Sequence, residues 1–86
     1  MKYLIRWKRS TVKDFRKIPK QNGQHIRTEV LKLCLNPIPN NSKKLQNTEY
    51  LYRLRIGKYR VIYYFKKRIE IITIIKIKHR KDVYHH

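Results

Sequence analysis

The sequence predicts an α+β fold of order β-α-α-β-β-β, a mostly antiparallel sheet with a helical hairpin packed on one face. Three stretches carry that reading. Residues 50–65 alternate apolar and polar positions about Gly57-Lys58, the pattern of a β-hairpin. Ile26, Val30, Leu33 and Cys34 stand at i, i+4, i+7 and i+8, one face of a helix. Residues 69–77, Ile-Glu-Ile-Ile-Thr-Ile-Ile-Lys-Ile, form the strongest strand of the chain.

In order, residues 2–7 read as a first strand with Tyr3, Ile5 and Trp7 on one face. Ser10 or Thr11 suits the cap of a short helix. Val12, Phe15 and Ile18 form its apolar stripe, and Lys13, Asp14, Arg16 and Lys17 its wet side. Pro19 separates it from a second helix over residues 21–35, where Cys34 is a small buried side chain. Residues 36–42, Asn-Pro-Ile-Pro-Asn-Asn-Ser, are a loop by composition, and Lys43-Lys44-Leu45 leads into the hairpin.

Gly followed by a polar residue fits a two-residue type II′ turn, and the turn fixes the register. Ile56 then faces Tyr59, Arg55 faces Arg60, Leu54 faces Val61, Arg53 faces Ile62 and Tyr52 faces Tyr63. Tyr52, Leu54, Ile56, Tyr59, Val61, Tyr63 and Phe65 share the core face. Leu51, Arg53, Arg55, Arg60, Ile62 and Tyr64 share the other. Apolar residues occur at both parities in residues 69–77, so that strand lies inside the sheet or has both faces covered. Residues 78–86 read as a polar tail.

At 86 residues the chain is expected to form one domain, 1–86, with one modest core. It carries 23 Lys+Arg against 5 Asp+Glu, a net charge of +18, which points to a polyanion or an acidic protein as partner. A membrane partner is disfavoured because no apolar span or long amphipathic helix is present. The N-terminal residues are interrupted by charge at once, unlike a secretory signal, so a cytoplasmic location is expected. With Cys34 alone, no internal disulfide and no cysteine zinc site can form. Gly23 and Gly57 are the only glycines, too few for a phosphate loop. No nucleophilic triad, paired acid/base carboxylates, metal site or cofactor site is expected.

Arg55 opposite Arg60, with Arg53 two positions along, places like charges together on a sheet surface, which destabilises it. Such a cluster is suited to phosphate, since guanidinium is planar, always charged and bidentate. RNA supplies its own nucleophile, the 2′-hydroxyl beside each phosphate. A protein that aligns the backbone and surrounds the phosphate with cations promotes cleavage without a covalent intermediate. Arg53, Arg55, Arg60 and Arg80 are the candidates for stabilising the transition-state charge. Tyr84 is the candidate acceptor of the 2′-OH proton, with neighbouring cations lowering its pKa. Its plain alternative is a packing aromatic, and His79 or His85 is an alternative acid/base. Lys43, Lys44, Arg55, Lys78, His79 and Lys81 complete the candidate RNA-binding set.

Leu54-Arg55-Ile56-Gly57-Lys58-Tyr59-Arg60-Val61-Ile62-Tyr63 and His79-Arg80-Lys81-Asp82-Val83-Tyr84 resemble the hairpin and terminal motifs of the RelE/ParE toxin superfamily, and of its RelE branch in particular. The resemblance implies the toxin of a toxin–antitoxin pair, an endoribonuclease that enters the ribosomal A site and cuts mRNA there. It implies that Arg60 contacts the scissile phosphate and Arg80 stabilises the transition state. It assigns Tyr84 to orienting the base or activating the 2′-OH. It also implies an acidic RelB-like antitoxin. Family members carry two lysines on the strand before the turn; here those positions are Arg53 and Leu51. If one of those lysines serves as the base elsewhere, its job here passes to Tyr84, Lys43 or Lys44, or is missing. The same resemblance admits a ParE-type DNA gyrase inhibitor, and composition alone admits a non-catalytic RNA- or ribosome-binding module.

Overall fold

Gly57 sets the geometry at the centre of the sheet. Its φ is +56°, and the only other described residue with positive φ is Asn47, so Lys58 takes an ordinary conformation. That combination is a type II′ turn. A computed structural model describes the backbone of residues 2–83 and the side chains through Lys81. On either side of the turn run β3, Leu51–Ile56, and β4, Tyr59–Tyr64. Their register is the one the turn predicts, from Ile56 against Tyr59 to Leu51 against Tyr64.

The other elements are β1 (Leu4–Trp7), α1 (Arg9–Arg16), α2 (Lys20–Leu31), β2 (Ser42–Lys44), β5 (Ile71–His79) and α3 (Arg80–Val83). A single 3-10 turn, Lys32–Cys34, follows α2. The sheet order is β1-β5-β4-β3-β2. Only the β1–β5 pair is parallel. Two elements go beyond the sequence reading. β2 is a three-residue edge strand where a lead-in was expected, and a short helix stands in the expected polar tail. β5 also runs two residues further than expected, so Lys78 and His79 belong to the sheet.

The core lies on one sheet face. Leu54, Ile56, Val61, Tyr63, Ile72, Ile74 and Ile77 meet Ile26, Val30 and Leu33 from the helical side. The change of parity in β5 comes from a bulge. Ile62 faces Lys76 but Tyr63 faces Ile74, which leaves Ile75 as the additional residue. Ile72 and Ile74 are buried by the period of two, and Ile77 returns to the core after a step of three. Cys34 is half-buried in the 3-10 turn rather than in a helix.

The phase of α1 corrects the sequence reading. Val12, expected in the stripe, is 51% exposed, and Asp14, expected on the wet side, is 8% exposed. Ser10 and Thr11 lie inside the helix, and Lys8 occupies the cap position. The cause is the end of β1. Past Trp7 the outer edge of β5 has lost its neighbour strand, and the cap residue Lys8 and α1 supply the partners instead. Lys8 N–H donates to Ile74 O at 2.9 Å, and Ser10 Oγ donates to Ile75 O at 2.7 Å. Ile77 N–H donates to Asp14 Oδ2 at 2.9 Å, and Lys76 Nζ lies 2.9 Å from Asp14 Oδ1.

Tyr63 is fully buried, and its hydroxyl donates to Pro37 O at 2.7 Å, anchoring the proline loop to the core. Burial is the main cause that pushes its phenol up to about 12. The unfolded phenol ionises near pH 10, before the folded one, so the stability held below pH 10 is lost as pH rises toward 12. Tyr63→Phe is expected to cost about 1 kcal/mol at neutral pH by removing the hydrogen bond. It should also flatten that alkaline loss; denaturant melts at pH 7 and pH 11 check both.

Candidate nucleic-acid interface

Because β3 and β4 alternate cleanly, their arginines project from the face opposite the core. Arg55 faces Arg60 across the hairpin, and β2 places Lys43 directly against Arg53. Two like-charge cross-strand pairs therefore stand side by side, an arrangement that costs stability. They line one cavity of about 370 Å³ together with Asn40, Asn41 and Ser42. No carboxylate is among its lining residues.

The loop that closes this cavity is fixed to β3. Asn41 Nδ2 donates to Arg55 O at 2.8 Å, and Arg55 N–H donates to Asn41 O at 2.9 Å. Ser42 bonds back to Pro39 O through both its amide and its hydroxyl. Asn40, Asn41 and Ser42 line the cavity, and the sequence reading passed over them as loop. The only signal for them was the amide-rich composition after Pro39.

Arg60 is held in place. Its Nη1 donates to Gly57 O and Tyr59 O, each at 2.9 Å, so the guanidinium is braced by the turn it follows. Lys78 on β5 faces Arg60, and His79 faces Tyr59 with ring centroids 5.4 Å apart. Arg80 N–H donates to Lys58 O at 2.6 Å, which ties the start of α3 to the tip of the hairpin. His79 Nδ1 accepts from Lys81 N–H at 3.2 Å across the first turn of α3. Arg80 and Lys81 are exposed.

Lys43, Arg53, Arg55 and Arg60 are thus brought to one cavity, with Lys78 beside them and Arg80 at the adjoining tip. Lys44 pairs in register with Tyr52 and stands at the β2 edge, beside a smaller hollow shared with Lys43 and Arg53. Tyr84 lies outside the described residues. A larger groove of about 460 Å³ sits on the helical side among Trp7, Thr11, Val12, Phe15, Arg16 and Arg27. Its Arg27 guanidinium is stacked 4.1 Å from the Phe15 ring centre, so it offers no comparable cationic convergence. Among the described residues, no helix is long and apolar enough to cross a membrane.

The profile of the ParE toxin of the type II toxin–antitoxin system parDE matches residues 5–84. The chain belongs to the ParE/RelE toxin family. Within it, the chain is 33% identical to the toxin named RelE1 of Methanocaldococcus jannaschii over 98% of this chain and 97% of that one. Its fold superposes on the RelE–RelB complex of Pyrococcus horikoshii with a TM-score of 0.81 and 32% identity, covering 93% of this chain and 97% of that one. A mutant of Escherichia coli RelE in the free state shares the fold with a TM-score of 0.77 at 18% identity, covering 99% of this chain and 93% of that one. The α+β RelE-like architecture is the family's, and this protein is a RelE-like toxin of the type II class.

Proposed function

We propose that this toxin is a ribosome-dependent endoribonuclease that cuts mRNA in the A site. The observation that carries the reading is the convergence of Lys43, Arg53, Arg55 and Arg60 on one cavity, beside a tail whose Arg80 is bonded to the hairpin tip. In the reaction the 2′-oxygen forms a bond to the adjacent phosphorus, and the bond from phosphorus to the 5′-oxygen breaks. The 2′-OH proton passes to a base, for which Tyr84 is the proposed group, and the leaving 5′-oxygen takes a proton from water. The phosphorane carries extra negative charge, and fixed guanidinium groups stabilise it more than they stabilise the ground state. The nucleophile belongs to the RNA, so the chemistry asks for no cofactor. The chain supplies few acid/base groups, so in-line alignment of the mRNA by the ribosome supplies much of the rate.

The proposed protein partner is an acidic antitoxin of the RelB type. A net charge of +18 favours it, and solved relatives from P. horikoshii and M. jannaschii are RelE–RelB complexes. Such binding should weaken steeply with salt. A toxin acting on ribosomes works in the cytoplasm.

The test is end-labelled mRNA on programmed ribosomes. A cut within the A-site codon, leaving a 2′,3′-cyclic phosphate or 3′-phosphate, is expected. Free RNA should remain uncut at the same toxin concentration. An intact mRNA would rule out the nuclease reading and make DNA gyrase inhibition, then plain ribosome binding, the readings to assay.

A further inference from the structure

The open sheet face changes character along its strands. At the turn end it is cationic, with Arg55, Arg60 and Lys78 in one row. At the far end the facing residues are Leu51, Tyr64 and Thr73, an uncharged row across three strands that ends at the exposed Arg6 of β1, which faces Thr73. Beyond it Leu4 faces Ile71, and these side chains are 66% and 39% exposed. Tyr64 is half-buried, with the Tyr50 ring tilted against it at 5.6 Å. The Lys66 ammonium lies 5.0 Å from the Tyr50 ring centre. Arg53 and Ile62 face each other between the two ends, so Tyr64 stands two residues, about 7 Å, beyond the arginine cavity.

We infer that Tyr64 is a nucleobase-stacking platform for single-stranded RNA whose phosphate occupies the arginine cavity. The inference rests on the nuclease reading for its substrate but names a subsite of its own. A ring between cations, Arg53 on one side and Lys66 on the other, is the pattern of single-strand binding: charge tracks the backbone and aromatic faces take the bases. A sheet surface with an accessible aromatic presents that ring to an unstacked base. The platform also gives a use to Leu51, where the charge of the neighbouring row is interrupted. An uncharged position beside Tyr64 keeps the base site dry. An acidic helix would use the aliphatic members of the strip, but the continuity of the ring with a cationic cavity that has no carboxylate in its lining favours RNA.

The experiment is fluorescence anisotropy of the full-length toxin with a labelled oligoadenylate hexamer. It is repeated with hexamers carrying one abasic ribonucleotide at each position in turn. The wild type should lose affinity by roughly 5- to 150-fold at one position, the range of base–aromatic stacking. Tyr64→Leu, which keeps the apolar contact with Tyr50 and Leu51, should bind the intact hexamer as weakly as the wild type binds that abasic one. It should show no further abasic penalty and leave the salt slope unchanged. Tyr64→Phe should match the wild type. Wild-type affinity and penalty in Tyr64→Leu, or no position-dependent penalty in the wild type, overturns the platform and leaves the strip to a protein partner. An abasic penalty that depends on Tyr64, in a toxin that leaves ribosomal mRNA intact, sinks the nuclease reading and keeps the platform.

Discussion

Arg60→Ala is expected to slow cleavage of ribosome-bound mRNA by about 10²- to 10³-fold, a loss of roughly 2.7–4 kcal/mol of transition-state stabilisation. Ribosome affinity should change little, because many cations share the polyanion contact. The expectation follows from the way Arg60 is fixed. Two carbonyls of its own turn, Gly57 O and Tyr59 O, hold the guanidinium on the wall of the cavity. A donor already oriented needs no reorganisation when charge develops on the phosphate. Arg60→Lys keeps the charge but loses the planar fork, so it should recover only part of the rate. Single-turnover cleavage on programmed ribosomes, measured beside toxin–ribosome binding, separates the outcomes. A matched fall in affinity and rate would mean that Arg60 positions the phosphate in the ground state and gives no extra help to the transition state.

The sequence showed this site well in one part and poorly in another. All five hairpin pairs read from Gly57-Lys58 recur in the structure, because a two-residue turn leaves no freedom of register. The clustering of Arg53, Arg55 and Arg60 follows from that register and the strand period alone. Lys43 was harder to place. It reaches Arg53 through β2, a strand of only three residues, Ser42-Lys43-Lys44, whose pairing depends on loop bonds from Asn41 and Pro39. Lysine-rich edge strands of that length carry almost no pattern. The contact of Arg80 with Lys58 was hidden for a related reason. β5 continues through Lys78 and His79, polar residues that read as tail but complete the ladder with β4. The bulge at Ile75 explains the mixed parity of the isoleucines, which periodicity alone attributes equally to burial on two faces. The roles assigned to Arg60, Arg80 and Tyr84 come from the motif resemblance and stand as proposals.

The misread face of α1 leads to the second large effect. An aspartate among lysines on a short helix is ordinarily solvated, and Asp14 is not. It takes the place of the missing strand at the edge of β5, accepting from the Ile77 amide and pairing with Lys76. Asp14→Ala leaves the Ile77 N–H in the core region without that acceptor, at an expected cost of about 1–3 kcal/mol. Lys76 contributes less to the loss, since its side chain is 44% exposed and water can solvate the released charge. Asp14→Asn retains an oxygen for the Ile77 amide and should recover most of the stability. Denaturant melts of the three proteins test the ranking, and hydrogen exchange at the Ile77 amide should quicken in Asp14→Ala alone. The consequence reaches the site because residues 78–80 continue directly from this clamp to Lys78 beside Arg60 and to Arg80 at the hairpin tip. An Asp14→Ala variant as stable as the wild type, with Ile77 exchange unchanged, would show that β5 keeps its course without α1.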